Sequence, residues 1–416
     1  MKARIITQVL RQKINQKTGR ILVLTGARQI GKTVTTANCF PDFDYLSIED
    51  PVKRPSFMLL TAEQWQQNFP KAILDEVQKE PQLIESIKSV YDQYPEPRYV
   101  LLGSSQFLLL EKVRESLAGR CVILEMYPLT IPELMTDDFD ETVKESFLIQ
   151  YIKDQTKPET LLPSFNLDSN FAKKMKAYEF YISFGGYPVL THDEMDDDLK
   201  REWLSNYVKT FLERDVRDLA AFRDLEPFVK LQRYLANISG KLVNYSSISK
   251  EVGVSVPTVK RYIQYMEMSY QTITLSAWHA NPLKKLIKSP KVHFMDYGVL
   301  QTIAQKTGEP AGNEYESAIV AEIYKQIKSY QLPVHFYHLR TQDGREIDLL
   351  IETSDYFIAI EIKKKNHIRE TDARNIKGLE EILNKPIRHA FILSNDQQVK
   401  HFESNITAMH AAQFLG

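Results

Sequence analysis

The sequence predicts an α/β protein of several domains that begins with a parallel sheet covered by helices on both faces. Short apolar runs in residues 1–135, namely ILVLT, AILDE, YVLLG and CVILEM, alternate with helix-like stretches, which is the pattern of repeated strand-helix units. A chain of 416 residues is too long for one compact core, since one domain per roughly 150 residues is usual. We therefore expect two or three domains, the first spanning residues 1–135.

Composition excludes membrane and secreted classes of protein. Hydrophobic residues make up 43% and charged residues 26% of the chain, which is ordinary for a soluble globular protein. No apolar run approaches the roughly 20 residues of a membrane helix, and the opening MKARIITQVLRQKINQ lacks the apolar stretch of a secretory signal. We expect a cytoplasmic protein without a membrane partner.

The cysteines and the net charge argue against two further classes of protein. Cys39 and Cys121 are far apart and show no CxxC spacing, which argues against a disulfide framework or a structural zinc site. The formal net charge is −1, so no global basic field indicates nucleic acid. Any contact with DNA must come from a local patch.

A phosphate-binding loop follows the first apolar run. GARQIGKT fits GxxxxGK[ST] and precedes a helix-like segment. In such a loop backbone N–H groups surround the phosphates, Lys32 reaches the β and γ oxygens, and the Thr33 hydroxyl ligates magnesium. The alternative is an ordinary glycine turn with a surface lysine. The motif predicts ATP and Mg²⁺ as cofactors, with these nucleotide-binding residues: Gly26, Ala27, Arg28, Gln29, Ile30, Gly31, Lys32 and Thr33.

The second half of an ATP site is the strand end AILDE, which carries two carboxylates. Asp75 would hold the magnesium, while Glu76 would orient and deprotonate the attacking water. A lone Asp-Glu pair is more often a solvated strand end, but its position after the phosphate loop favours the functional interpretation. The sequence predicts an ATPase that converts ATP and water to ADP and phosphate.

These motifs resemble a known family. The motifs that carry this resemblance are GARQIGKT, ILDEVQ, LLGSS, ESLAGR with YPLTIPE, FGGYP and FLERDVRDL. The chain is similar to the prokaryotic AAA+ ATPases that carry a C-terminal restriction-endonuclease-like domain. The resemblance extends over nearly the whole chain and implies an ATPase core, a winged helix and a PD-(D/E)XK fold. It also implies that Ser104 senses the γ-phosphate and that Arg120 is an arginine finger in a ring or partial ring of identical chains. Arg114 is the rival finger, and a salt bridge on the same face is the alternative role of Arg120.

We expect residues 136–225 to form an insertion and a helical lid, and residues 226–305 a winged helix-turn-helix. The insertion is acidic and irregular, and no chemistry is placed there. The segment SISKEVGVSVPTVKRYIQYM predicts two helices with Gly253 in the turn, and TITLSAW predicts the wing. Ser246 or Ser247 would cap the first helix, and the second would open near Val256-Pro257.

The second of these helices has a polar face. Thr258, Lys260 and Arg261 alternate with apolar residues at helical spacing, so one face can pack while the other faces a DNA groove. Winged helices of AAA+ proteins also serve only as lids or oligomer contacts. DNA is therefore an expected partner, with these two roles as the alternative.

The last predicted domain, residues 306–416, carries a candidate metal site. The sequence predicts a helix, two strands and another helix in this domain. The first helix is EYESAIVAEIYKQIKSY, and the strands are REIDLLIE and YFIAIEIK. Because strand side chains alternate, Glu361 and Lys363 share a face beside Asp348, which matches the acids and lysine of PD-(D/E)XK nucleases. Glu316 is the expected further acid, with Glu314 and Glu322 as alternatives. The predicted metal ligands of the whole chain are thus Thr33, Asp75, Glu316, Asp348 and Glu361.

Three functions remain open. The first is an AAA+ ATPase that loads, moves or remodels DNA or a DNA-associated partner and carries a metal-dependent nuclease. The second is an ATP-controlled DNA-binding regulator whose nuclease-like domain is inert, with Lys363 in salt bridges. The third is an oligomeric scaffold in which ATP fixes the assembly.

Overall fold

The computed structural model describes residues 1–103, 113, 115–212, 224–280, 289–341, 344–403 and 405–416. Two sheets organise these residues. The first lies in residues 21–125 and the second in residues 272–410. None of the helices within the described ranges is long and apolar enough to cross a membrane.

The first sheet has five parallel strands in the order β2-β3-β4-β1-β5. All predicted apolar runs form strands, and β4 lies between the strand that precedes the phosphate loop and the strand that ends in Asp75. The edge strand β2 was not predicted, because its polar residues are largely exposed. The bounds are β1 Ile21–Thr25, β2 Asp44–Ser47, β3 Lys71–Asp75, β4 Arg98–Gly103 and β5 Cys121–Glu125.

Helices cover both faces of this sheet, as predicted. Along β1, Leu22 and Leu24 contribute to one buried core, while Ile21 and Val23 contribute to another, because successive side chains of a strand point to opposite faces. The helices of this region are α1 Ile5–Ile14, α2 Lys32–Cys39, α3 Arg54–Met58, α4 Ala62–Asn68 and α5 Gln82–Gln93.

The segment that follows is mostly helical. The predicted insertion packs against the C-terminal part of the chain through Phe147. The centre of its ring lies 6.0 Å from that of Phe391 in the second sheet and 5.9 Å from that of Phe414 in the C-terminal helix. The segment predicted to be a lid is helical on both sides of residues 185–188, and a π-helical turn, Val208–Leu212, extends its last helix. The helices are α6 Ile131–Leu134, α7 Phe147–Ile152, α8 Phe171–Phe184 and α9 Asp197–Tyr207.

Two glycines join the lid to its neighbours. A Cβ added to Gly186 would lie 2.2 Å from the Leu129 carbonyl oxygen, and one added to Gly185 would lie 2.1 Å from Asp296 Oδ1. The Gly186 N–H donates to Asp296 Oδ2 at 2.7 Å. The motif FGGYP therefore lets the chain approach Leu129 and Asp296 closely, which a larger residue would prevent.

The two helices predicted from SISKEVGVSVPTVKRYIQYM are present, and a third helix precedes them. They are α10 Glu226–Asn237, α11 Tyr245–Val252 and α12 Val256–Met268. Gly253 ends α11 with φ 77, and Pro257 lies in the first turn of α12. The predicted cap at Ser246 or Ser247 was wrong. Asn244 caps α11 instead, accepting from the Ser247 N–H at 3.0 Å, because both serines already lie inside the helix.

The second sheet has eight strands in the order β12-β13-β11-β10-β9-β8-β6-β7. The pairing of β6 with β8 carries the sheet across the boundary expected between residues 305 and 306. The strands are β6 Thr272–Ala277, β7 Lys291–Phe294, β8 His335–Arg340, β9 Glu346–Glu352, β10 Phe357–Ile362, β11 Ile387–Ser394, β12 Lys400–Glu403 and β13 Ile406–His410. The helices are α13 Tyr297–Ala304, α14 Gly312–Ser329 and α15 Ala411–Leu415.

The predicted helix and two strands of the C-terminal part correspond to α14, β9 and β10. The helix expected directly after β10 was wrong. Two short 3₁₀ turns, Glu370–Ala373 and Leu379–Glu381, occupy this stretch. Gly378 has φ 73 between them, a left-handed conformation that interrupts a helix.

Candidate nucleotide site and acidic cluster

The phosphate loop has the backbone shape that its glycines permit. A Cβ on Gly26 would lie 2.3 Å from the Met126 carbonyl oxygen, so only glycine fits against the end of β5. Gly31 caps α2 with φ 90, in the left-handed region that favours glycine. The loop therefore turns directly from β1 into the N-terminus of α2, where phosphates bind.

Buried basic groups hold the loop from two sides. The Lys32 ammonium donates to the Gly26 and Ala27 carbonyl oxygens, both at 2.8 Å. Arg4 donates to the Ile30 carbonyl at 3.2 Å and pairs with Glu133 at 3.3 Å. The sequence analysis missed Arg4, because nothing near the N-terminus marks it. These contacts fix the loop before any ligand binds.

Thr33 and Asp75 meet as predicted for a magnesium site. The Thr33 hydroxyl donates to Asp75 Oδ2 at 2.7 Å. Tyr45, on the edge strand β2, donates to the same oxygen at 2.9 Å and was not predicted. Burial and the nearby Asp75 carboxylate raise the pKa of the Tyr45 hydroxyl. Hydroxyl and carboxylate oxygens are the ligands that Mg²⁺ prefers, so the residues present fit this ion.

Glu76 follows in a strained conformation. Its φ is 57, which costs about 1 kcal/mol or more for a residue with a side chain. Its N–H donates to Asp75 Oδ1 at 3.0 Å, and the Gln78 amide donates to its carboxylate. The turn therefore fixes the Glu76 backbone against Asp75 and holds its carboxylate through Gln78. Gln78 was not predicted as a partner of Glu76.

Ser104 and Arg120 were predicted to contact the γ-phosphate, and only Arg120 lies among the described residues. Ser104 and the rival arginine Arg114 lie outside the described residues, so their roles stay predictions. Arg120 pairs with Asp92 through two hydrogen bonds of 2.7 and 3.2 Å. Arg120 precedes β5, so it lies at the N-terminal ends of the parallel strands, whereas the phosphate loop lies at their C-terminal ends. The length of a five-residue strand separates the two, which is about 16 Å. It does not reach the phosphate loop of its own chain.

Tyr270 links the strand that precedes the phosphate loop to the segment formed by α10, α11 and α12. The Tyr270 hydroxyl lies 2.6 Å from the hydroxyl of Thr25, the last residue of β1, and donates to Glu125 Oε1 at 3.2 Å. Tyr270 lies between α12 and β6 with φ 59. Tyr270 therefore connects the end of α12 to Thr25, the residue that precedes the phosphate loop.

In the second sheet the predicted acids come together. Ile360 pairs with Leu349 across β10 and β9, so the next residues, Glu361 and Asp348, face the same side. Lys363 donates to Glu361 Oε1 at 2.5 Å. Glu316 approaches from α14, as expected. The alternatives lie elsewhere: Glu314 bonds Lys306, and Glu322 bonds the Ile131 N–H and Lys325.

A lysine that was not predicted lies among these acids. The Lys291 ammonium, on β7, is 2.8 Å from Glu316, 2.7 Å from Glu346 and 3.6 Å from Asp348. Its side chain is only 2% exposed. We call these residues the acidic cluster: Lys291, Glu316, Glu346, Asp348, Glu361 and Lys363.

Burial changes the protonation of this cluster. Burial and the neighbouring Asp348 raise the pKa of Glu316 to about 8 and that of Glu361 to about 7. Burial alone would lower the pKa of Lys291, but Glu316 and Asp348 raise it. Burial therefore disfavours the charged form of these carboxyls, and the neighbouring ammoniums oppose that effect.

These residues fit a divalent metal poorly. An ammonium already lies between three of the four carboxyls, and two cations cannot share that space. Glu361 Oε2 is buried without a hydrogen-bond partner and is the oxygen left open to a cation. Within the described ranges, no group of three or more histidine, cysteine, aspartate or glutamate residues is arranged to hold a metal ion.

Family models match three parts of the chain. Residues 18–135 match a model described as an AAA domain. Residues 175–309 and 311–414 match two models described as domains of unknown function, DUF8612 and DUF4143. The first match agrees with the loop and the Thr33–Asp75 contact. This part of the chain is a P-loop ATPase domain of the AAA type.

Relatives are distant. Uncharacterized proteins of Mycobacterium tuberculosis and Mycobacterium bovis are each 25% identical over 365 residues, which cover 83% of this chain and 70% of theirs. An uncharacterized protein of Haemophilus influenzae is 24% identical over 282 residues, 66% of this chain and 61% of its own. A solved Walker-type ATPase of Pyrococcus abyssi is 14% identical, covering 72% of this chain and 95% of its own, with a TM-score of 0.45.

Proposed function

We propose that the protein hydrolyses ATP in residues 26–33, Asp75 and Glu76, and uses the turnover to act on DNA or a DNA-associated partner. The contact between Thr33 and Asp75 at 2.7 Å is the observation that carries the proposal. It joins the two halves of the site, which lie far apart in the sequence, at the place where magnesium and the phosphates meet in P-loop ATPases.

Each residue has one part in this chemistry. Thr33 and Asp75 would hold a magnesium ion, which would supply positive charge against the phosphates. Lys32 exchanges its bonds to the loop carbonyls for the β and γ oxygens. Glu76 accepts a proton from water, whose oxygen forms a bond to the γ phosphorus as the bond to the β–γ bridging oxygen breaks. ADP and phosphate are the products.

DNA is proposed as the partner because α12 presents a basic face. Lys260, Arg261 and Gln264 are exposed, and the Lys260 ammonium lies 5.1 Å from the centre of the Tyr245 ring, which steadies that side chain. Tyr270 follows the same helix and contacts Thr25. Binding on this face therefore has a short physical route to the ATP site.

ATPase rates with and without single-stranded and double-stranded DNA test the proposal. We expect stimulation by DNA that weakens with added salt, since phosphate contacts release counterions. Replacing both Lys260 and Arg261 with Ala should remove the stimulation and keep the basal rate. DNA binding without stimulation would favour the regulator, and no DNA binding would favour the scaffold.

Replacing Tyr270 with Phe tests the route from α12. The variant keeps the ring but loses the hydrogen bond to Thr25, so DNA binding should be unchanged while stimulation falls. Stimulation equal to that of the wild type would show that coupling does not pass through this hydroxyl.

For the C-terminal domain we propose the inactive alternative rather than metal-dependent cleavage. Asp348, Glu361 and Lys363 resemble a nuclease site, but Lys291 neutralises the acids. Incubation of linear, circular and single-stranded DNA with magnesium or manganese, with and without ATP, decides the point. Cleavage that is lost in Asp348→Asn would restore the nuclease function.

A further inference from the structure

We infer that Lys291 is a built-in cation that occupies the metal position of the acidic cluster, and that its removal opens a divalent-cation site there. Its ammonium lies 2.7 and 2.8 Å from two carboxylates and 3.6 Å from a third. A divalent ion requires carboxylate oxygens at about 2.0–2.6 Å around one point. The ammonium holds the same oxygens around that point.

The position of Lys291 is fixed by the backbone. Lys291 is the first residue of β7, lies opposite Leu275 in β6, and forms a β-bridge with Leu242. The Val243 N–H donates to the Pro290 carbonyl at 2.8 Å. A strand on one side and a β-bridge on the other therefore hold this backbone, which fixes the point from which the side chain reaches the three carboxylates.

The charges of the cluster explain why a cation is needed. Glu316, Glu346, Asp348 and Glu361 would carry four negative charges if all were ionised, and Lys363 pairs with only one of them. Like charges at this separation repel strongly in a buried site. Lys291 supplies the attraction that keeps the other three together without a metal.

The unpartnered oxygen shows where a metal would bind once Lys291 is gone. Glu361 is 1% exposed and its Oε2 has no hydrogen-bond partner. Asp348, on the next strand, has one oxygen bonded to the Ile362 N–H at 2.8 Å and the other facing Lys291. Without the ammonium, the three carboxylates that it holds, Glu316, Glu346 and Asp348, are left to bind a divalent ion. Glu361, which lies beside Asp348 on the neighbouring strand, offers its open oxygen as a further ligand.

Manganese binding to the full-length protein tests the inference. All proteins carry Asp75→Asn, which removes the magnesium ligand at the phosphate loop, and calorimetry with MnCl₂ is the readout. The Asp75→Asn protein should bind Mn²⁺ no better than about 1 mM, and adding Lys291→Met should tighten binding at least tenfold with one ion per chain. Lys291→Arg keeps a cation and should remain like the parent.

Two results would overturn the inference. One is tight Mn²⁺ binding by the Asp75→Asn protein that Glu361→Gln abolishes, because a metal would then coexist with Lys291. The other is a folded Lys291→Met protein that gains no binding. If Lys291→Met does not fold, Lys291→Gln replaces it, and the measurement on the parent stands by itself. None of these results depends on whether the protein hydrolyses ATP.

Discussion

The ATP site and the acidic cluster use the same residue types and arrange them differently. Each has carboxylates carried by strands of a sheet and a buried lysine nearby. In the ATP site, Lys32 is bonded to carbonyl oxygens of the loop, and Asp75 accepts hydrogen bonds from neutral hydroxyls. In the acidic cluster, Lys291 is bonded to the carboxylates themselves.

The difference teaches that the partner of the lysine decides whether carboxylates are available to a metal ion. Where carbonyls hold the ammonium, the negative charge of the carboxylates is left for an external cation. Where carboxylates hold it, the charge is already neutralised. A motif that contains acids and a lysine therefore predicts metal binding only when the position of every nearby ammonium is known.

The largest effect expected from this contrast is on ATP turnover. Glu76→Gln should bind ATP and lose at least about 100-fold of the hydrolysis rate, since the base that activates water is gone. Lys32→Ala should lose ATP binding itself. Glu361→Gln, the same change in the acidic cluster, should leave the ATPase rate unchanged. Nucleotide binding by calorimetry and phosphate release measure these outcomes, and wild-type hydrolysis by Glu76→Gln would remove Glu76 from the mechanism.

A second large effect concerns the arginine at the far edge of the first sheet. If Arg120 completes the site of a neighbouring chain, Arg120→Ala should keep nucleotide binding and lose about 100-fold or more of the turnover. Asp92→Asn is the matched control, because it breaks the same ion pair and keeps the arginine. Mixing Arg120→Ala with Glu76→Gln should restore activity in shared sites.

Equal behaviour of Arg120→Ala and Asp92→Asn would assign Arg120 to the ion pair alone. The oligomeric state should be followed with ATP and magnesium by light scattering. A monomer that hydrolyses ATP at full rate would exclude a shared site.

A smaller effect is expected at Tyr45, whose hydroxyl donates to the Asp75 oxygen that magnesium would use. Tyr45→Phe removes this competing donor, so the magnesium concentration for half-maximal ATPase activity should fall by about two- to tenfold. Thr33→Ala removes a magnesium ligand and should raise that concentration. A shift in the same direction for both variants would contradict this role of Tyr45.

The smallest effect is a pH dependence of stability at His410, the last residue of β13 in the second sheet. Burial lowers the pKa of His410 to about 4, against about 6.5 in the unfolded chain. The unfolded chain therefore binds the proton first, and this contribution to stability is present above pH 6.5 and is lost as the pH falls towards 4.

His410→Asn keeps an acceptor for the Ala412 N–H, which His410 Nδ1 binds at 3.0 Å, and removes the titration. From pH 7 to pH 5, the free energy of unfolding should fall more in the wild type than in this variant. The carboxyls of the acidic cluster titrate in both proteins, so their contribution cancels in the comparison. An equal fall in both would refute the assignment.

The ATP site could be predicted from sequence because its parts are local and ordered along the chain. The loop, the helix that follows it and the strand ending in Asp75 each have their own signature, and the parallel sheet brings their ends together. Tyr45 and Arg4 were missed because they come from a polar edge strand and from an N-terminal segment without any motif. Only the folded chain shows that they contact Asp75 and the loop.

The acidic cluster was predicted in its acids and missed in its central cation. Glu361 and Lys363 follow from the alternation of a strand, and Glu316 from the preceding helix. Lys291 lies on β7, before that helix, in a segment predicted to belong to the winged helix. No periodicity connects it to Asp348, since the pairing of β6 with β8 that brings it there joins strands far apart in the sequence.

That pairing also limits how the chain can be divided. A fragment beginning at residue 306 would leave β8 as an open edge, and one ending at residue 305 would do the same to β6, and open edges recruit strands from other molecules. The first fragment would also lack the ammonium that its carboxylates need. Cleavage or recombination between residues 305 and 306 would therefore yield two fragments that fold poorly and aggregate. We expect residues 226–305 and 306–416 to be inherited and degraded together.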